Sequence, residues 1–104
     1  MKQMKMKLVR DCIPEIIESD GKWCLTRTVH GPDEHMMFLK AKMEEESQEF
    51  MDNPCYEEAA DMIEVIKAFC HLNDLEWEAA LGAAERKQEE RGGFYQGIIL
   101  QEVK

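Results

Sequence analysis

The sequence lacks any apolar run long enough to cross a bilayer, and no apolar signal region follows its N-terminal lysines. Neither a membrane protein nor a secreted one is therefore expected. Positive charge is also short: 13 lysines and arginines stand against 22 acidic residues, a net charge of −9. That balance argues against nucleic-acid polymers and anionic membranes as partners, and leaves only a local basic cluster to meet phosphates. Cys12, Cys24, Cys55 and Cys70 form no Cys-x-x-Cys pair, and His30, His35 and His71 have no ligand spacing among themselves or with the cysteines. A zinc site and a disulfide framework are both disfavoured, so the thiols read as small buried residues in a reducing, cytoplasmic setting. No repeat, low-complexity tract or linker interrupts the 104 residues, which fit one domain with a modest core.

What is present is helical patterning. Asp11 and Pro14 mark a helix start, Ile13, Ile16 and Ile17 give it an apolar face, and Ser19-Asp20-Gly21 ends it. Gly31-Pro32-Asp33 opens a long second helix running to about Met51, whose start, Met36-Met37-Phe38-Leu39, is apolar nearly all round and calls for cover from a partner subunit. Asn53 is placed as the N-cap of a third helix with Pro54 at its first position, extending to about Leu72. Asp74 is placed to cap a fourth, Leu75 to about Arg91, ended by Gly92-Gly93. Short strands are expected at Met4 to Val9, Trp23 to Val29 and Gly97 to Leu100. The fold class is thus all-α, an antiparallel helical bundle with minor β-strands near the termini. Trp23, Trp77 and Phe94 are expected in its core rather than stacked on a base.

Four carboxylates stand where this hairpin should carry core residues. The seam Met36, Leu39, Met43, Glu46, Phe50 advances in helical steps, with an acid at its fourth place. The next helix repeats the anomaly, because Glu58, Asp61, Val65, Ala68 and Leu72 form a seam whose first two members are acidic. A short break at Asn53 forces the two helices side by side and antiparallel. Glu49 and Glu58 then lie at one height, Glu46 and Asp61 at another, and each pair has the i, i+3 spacing of a single face. Acidic stretches are commonly solvated, but these interrupt apolar seams and match in height. Burying carboxylates is costly unless a cation compensates them. An all-oxygen donor set without histidine or thiolate suits Mg²⁺, with Mn²⁺ as the alternative. Glu45 and Glu57 point elsewhere on the helical wheel. On the fourth helix the seam Trp77, Ala80, Ala84, Lys87, Arg91 ends in two cations. These either complement the helix dipole or hold phosphate oxygens. Lys7 and Arg10 have a weaker claim to the same role.

In these motifs the chain resembles the MazG-like all-α nucleotide pyrophosphohydrolases, the superfamily that includes phosphoribosyl-ATP pyrophosphohydrolase. The resemblance lies in Glu45-Glu46-Ser47-Gln48-Glu49 followed by Glu58-Ala59-Ala60-Asp61, in Lys7-Leu8-Val9-Arg10-Asp11 with Ile13-Pro14-Glu15-Ile16-Ile17, and in Glu90-Arg91-Gly92-Gly93-Phe94. The gap between the acidic motifs, Phe50 to Glu57, is shorter than the usual pattern, and Cys12 stands where that pattern has lysine. The resemblance implies Mg²⁺-dependent cleavage of a nucleoside triphosphate, or a related nucleotide, to monophosphate and pyrophosphate. It implies Glu46, Glu49, Glu58 and Asp61 as metal ligands, Lys87 and Arg91 as phosphate-binding residues, and a homodimer or homotetramer with bundles built across subunits. Glu49 is the candidate to orient or deprotonate the attacking water. Three alternatives stay open: phosphoribosyl-ATP as substrate, a non-catalytic helical interaction module on the same scaffold, and a bundle in which the metal is structural.

Overall fold

A computed structural model describes residues 6–104. Among them lie four helices and no strand: α1 (Ile13–Ser19), α2 (Pro32–Asp52), α3 (Tyr56–Leu72) and α4 (Trp77–Arg91). The chain is all-α. None of these helices is long and apolar enough to cross a membrane.

Each boundary has a local cause. Pro14 sits in the first turn of α1, where its missing N–H costs nothing. Gly21 at φ +76° closes the other end, letting its own N–H reach the Glu18 carbonyl and the Lys22 N–H reach that of Ile17. Pro32 likewise starts α2. No side chain caps that helix at Gly31, but Glu34 accepts the His30 N–H (2.8 Å) and takes two hydrogen bonds from Arg27 (2.8 and 3.1 Å). This clamp ties the extended segment before α2 to its first turn.

Only three residues, Asn53 to Cys55, join α2 to α3. The pairing is antiparallel: Glu46 lies beside Glu58 and Asp61, while the Asn73 amide at the far end is 3.9 Å from Met36 Sδ. This hairpin is the principal packing of the molecule, α3 touches α4 lightly, and α1 packs on no other helix. Leu39 of α2 and Val65 and Cys70 of α3 form the buried seam. Burying Leu39, which retains 2% of its surface, contributes about 1.5–3 kcal/mol.

Two expected caps are displaced. Helix α3 begins at Tyr56 rather than Pro54, because Asn53 closes α2, its amide contacts the Cys55 sulfur at 3.7 Å, and Cys55 is still extended. Asp74 belongs to the end of α3, not the start of α4. At φ +57° it adopts the left-handed turn in which its N–H meets the His71 carbonyl and the Leu75 N–H meets that of Cys70. Asparagine and aspartate tolerate this conformation better than most residues. Helix α4 then starts at Trp77, two residues later than expected.

The strands are a larger departure. Trp23 to Val29 and Gly97 to Leu100 are irregular, as are Met6 to Val9; Met4 and Lys5 lie outside the described residues. A strand is stabilised by a neighbour that takes its backbone hydrogen bonds, and among the described residues none of these segments has one. Trp23 and Phe94 are accordingly 82% and 103% exposed, and neither joins the core. Of the cysteines only Cys70 is buried, and Cys12 is exposed.

Little of the apolar content is covered within one chain. The accessible surface is 9740 Å², whereas a compact protein of this mass exposes about 6,000 Å². The radius of gyration, 18.1 Å, compares with about 13 Å for a compact domain of this length.

Candidate metal centre

The hairpin carries the acids where its two helices face each other. Glu46 is reached from Leu39 by two turns along the packed face of α2. It retains 6% of its surface and is the buried charged residue of the described chain. The short link to α3 brings Glu58 and Asp61, one turn apart, against it. Donor oxygens of Glu46, Glu58 and Asp61 lie within 4.8 Å of one another, and so do those of Glu45, Glu46 and Glu49. Glu46 belongs to both triads. An oxygen shell around Mg²⁺ spans about 4.2 Å between opposite ligands, and one around Ca²⁺ about 4.8 Å, so small side-chain movements close either triad on an ion.

Two cations reach the cluster. Lys42, one turn before Glu46, places its Nζ 3.2 Å from Glu46 Oε1 and 3.4 Å from a Glu45 oxygen. Arg10, from the segment ahead of α1, donates from Nη2 to Asp61 Oδ1 at 2.6 Å. Among the described residues five carboxylates thus meet two cations, an excess of three negative charges. Burial pushes the Glu46 carboxyl above the ordinary carboxylate value. Glu49 and Asp61 push the same way, against the pull of Lys42. Burial also works against the Lys42 ammonium, yet Glu46 and Glu45 outweigh it and hold its pKa above the usual lysine value.

The decisive feature is what these cations leave undone. Glu46 Oε2 and Glu58 Oε2 are both buried and accept no hydrogen bond. An unpartnered buried carboxylate oxygen is expensive, and a bound cation would satisfy both. Oxygen donors alone, in excess negative charge, are the chemistry of a hard divalent cation such as Mg²⁺. Comparison of the chain with protein-family models, with curated proteins and with solved structures gave no match.

The four acids expected from the sequence come together, but not as one square. Glu49 is exposed and pairs with Glu45 and Glu46, while Glu58 and Asp61 share Glu46 from the other side. Two contributors escaped the sequence reading, and a third, Arg10, was expected only as a weaker candidate for phosphate. Glu45 turns into the first triad instead of away from it. Lys42 stands at i, i−4 from Glu46, a spacing that signals the ion pair in the sequence itself. Arg10 has a place at the cluster that no local pattern announces, because 51 residues separate it from Asp61. Lys87 and Arg91 are exposed on α4. A groove of about 470 Å³ opens beside the cluster, lined by Arg10, Lys42, Glu46 and Asp61 among others, and neither Lys87 nor Arg91 borders it.

Proposed function

We propose that this chain is a Mg²⁺-dependent nucleotide pyrophosphohydrolase of the MazG-like kind, releasing pyrophosphate from a nucleoside triphosphate or related nucleotide. The observation that carries the reading is that Glu46 and Glu58, whose carboxylates meet with Asp61 across the hairpin, each keep a buried oxygen without a hydrogen-bond partner among the described residues. Glu46, Glu58 and Asp61 would hold one ion, and Glu45, Glu46 and Glu49 offer a second position. When bound, the ion supplies charge neutralisation to a phosphate chain and acidity to nearby water. Glu49, exposed and grouped with Glu45 and Glu46, would orient that water and accept its proton. The adjoining groove is large enough for part of a nucleotide. Since Lys87 and Arg91 do not border it, their role as phosphate ligands requires a second copy to bring them there. The uncovered apolar surface supports a homodimer or homotetramer in which that happens.

The same surface favours a second reading, a non-catalytic helical interaction module. A panel of ribo- and deoxyribonucleotides and phosphoribosyl-ATP, assayed with Mg²⁺ or Mn²⁺ for pyrophosphate release, separates the two. The proposal expects turnover that a chelator abolishes. No turnover at high protein concentration would leave the module.

A further inference from the structure

Resting on the metal site proposed above, the geometry points to Arg10 as a stand-in for the ion: its guanidinium holds Asp61 until a divalent cation takes that carboxylate, and then turns to the phosphate chain of the nucleotide. Among the described residues Arg10 and Lys42 are the two cations at the cluster, and they are built differently. Lys42 shares a helix with its partners, so the i, i+4 spacing fixes it against Glu46, and its side chain is largely covered. It shares both helix and cover with Glu46, so it stays near that carboxylate.

Arg10 comes from a separate segment without regular structure, and its side chain is 54% exposed. Among the described residues its one hydrogen bond at the cluster is to the Asp61 oxygen at 2.6 Å, although a guanidinium carries five donors in a planar fork. An exposed pair of this kind is weak and screened. A doubly charged ion drawing on several carboxylates displaces it readily. The backbone, by contrast, is anchored: the Arg10 carbonyl accepts the Ile13 N–H at 3.1 Å and ties the residue to the start of α1. The side chain therefore moves while its root stays at the mouth of the groove that Arg10, Glu46 and Asp61 all line. A released guanidinium there meets whatever the ion brings, and its fork matches adjacent phosphate oxygens better than a single ammonium does.

This makes two opposite predictions for one substitution. Arg10→Gln removes the competitor for Asp61, so Mg²⁺ alone should bind roughly tenfold more tightly than to the unaltered protein. The same substitution should weaken binding of magnesium pyrophosphate, with Mg²⁺ in excess throughout, by roughly tenfold. Calorimetric titrations of the unaltered protein, Arg10→Gln, Arg10→Lys and Glu46→Gln measure both. In the unaltered protein the ¹⁵N signal of the Arg10 side chain should also shift on adding Mg²⁺. Arg10→Lys, which keeps the charge but loses the fork, should hold Mg²⁺ affinity near that of the unaltered protein and still lose pyrophosphate affinity. Equal Mg²⁺ affinity with and without Arg10 overturns this inference and leaves the metal site standing. No Mg²⁺ binding to the unaltered protein, or binding undiminished by Glu46→Gln, overturns both.

Discussion

Glu46 occupies a position that the apolar seam of α2 would otherwise give to a hydrophobe, and both triads depend on it. Replacing it with glutamine keeps the shape and removes the charge. Loss of such a shared ligand should lower divalent-ion affinity and pyrophosphate release by on the order of 100-fold. Asp61→Asn should act in the same direction. Retained turnover in both would remove the site assignment. The metal-free protein offers an independent check through pH. The folded chain holds the Glu46 proton above the ordinary value of 4.5, so it binds that proton more tightly than the unfolded chain does. Its contribution to stability is fully present below 4.5 and is lost as pH rises through the elevated folded value. Urea midpoints of the chelated protein should fall across that window, and Glu46→Gln should flatten the fall. These acids were legible in the sequence because helical spacing fixes both their face and their height. The Arg10–Asp61 contact was not, since it depends on how a distant segment returns to the hairpin.

At the level of elements, the α2–α3 hairpin was legible for the same reason: two seams with a short break leave one arrangement. Capping was less so, because several residues near each boundary have the right chemistry and tertiary geometry chooses among them. Asn53 and Asp74 illustrate this, each being used by the end of the preceding helix. The expected strands failed because β-forming residues describe fitness for a pleated surface, and no strand among the described residues makes one. What joins the segment before α2 to the hairpin is the Glu34 clamp. Hydrogen bonds from Arg27 and from the His30 backbone hold the Glu34 carboxyl down to about 2. Its contribution is complete above the ordinary 4.5 and is lost as pH falls through about 2. An NMR titration should place the Glu34 midpoint near 2, and Glu34→Gln should speed amide exchange from Arg27 to His30. A midpoint near 4.5 would show that the clamp does not form in solution. The hairpin itself rests on little buried apolar surface. Leu39→Ala should therefore cost about 2–5 kcal/mol in urea unfolding, a large part of a typical stability of about 5–15 kcal/mol. A loss below about 1 kcal/mol would mean that the hairpin is not the core.

The whole molecule does not close on itself. Its surface exceeds that of a compact chain of equal mass by roughly 3,700 Å², while a stable interface takes about 800 Å² from each partner. The excess is apolar in part: Met37 at the start of α2, Leu81 on α4, and Ile98 to Leu100 in the tail are all exposed. Patches of this kind on one chain are ordinarily covered by another. A second copy is the economical partner, since the surface it needs is already present on every copy. Sedimentation at micromolar concentration should therefore give at least twice the 12.1 kDa chain mass. The thermal midpoint should rise with protein concentration, as it does when association stabilises the fold. Met37→Glu sets a charge on the apolar start of α2 without touching the acidic cluster, and should shift the protein toward monomer. A monomer at all concentrations, with the hydrodynamic size of this extended chain, would mean that the apolar faces await a different protein. The interaction-module reading would then gain over the enzymatic one.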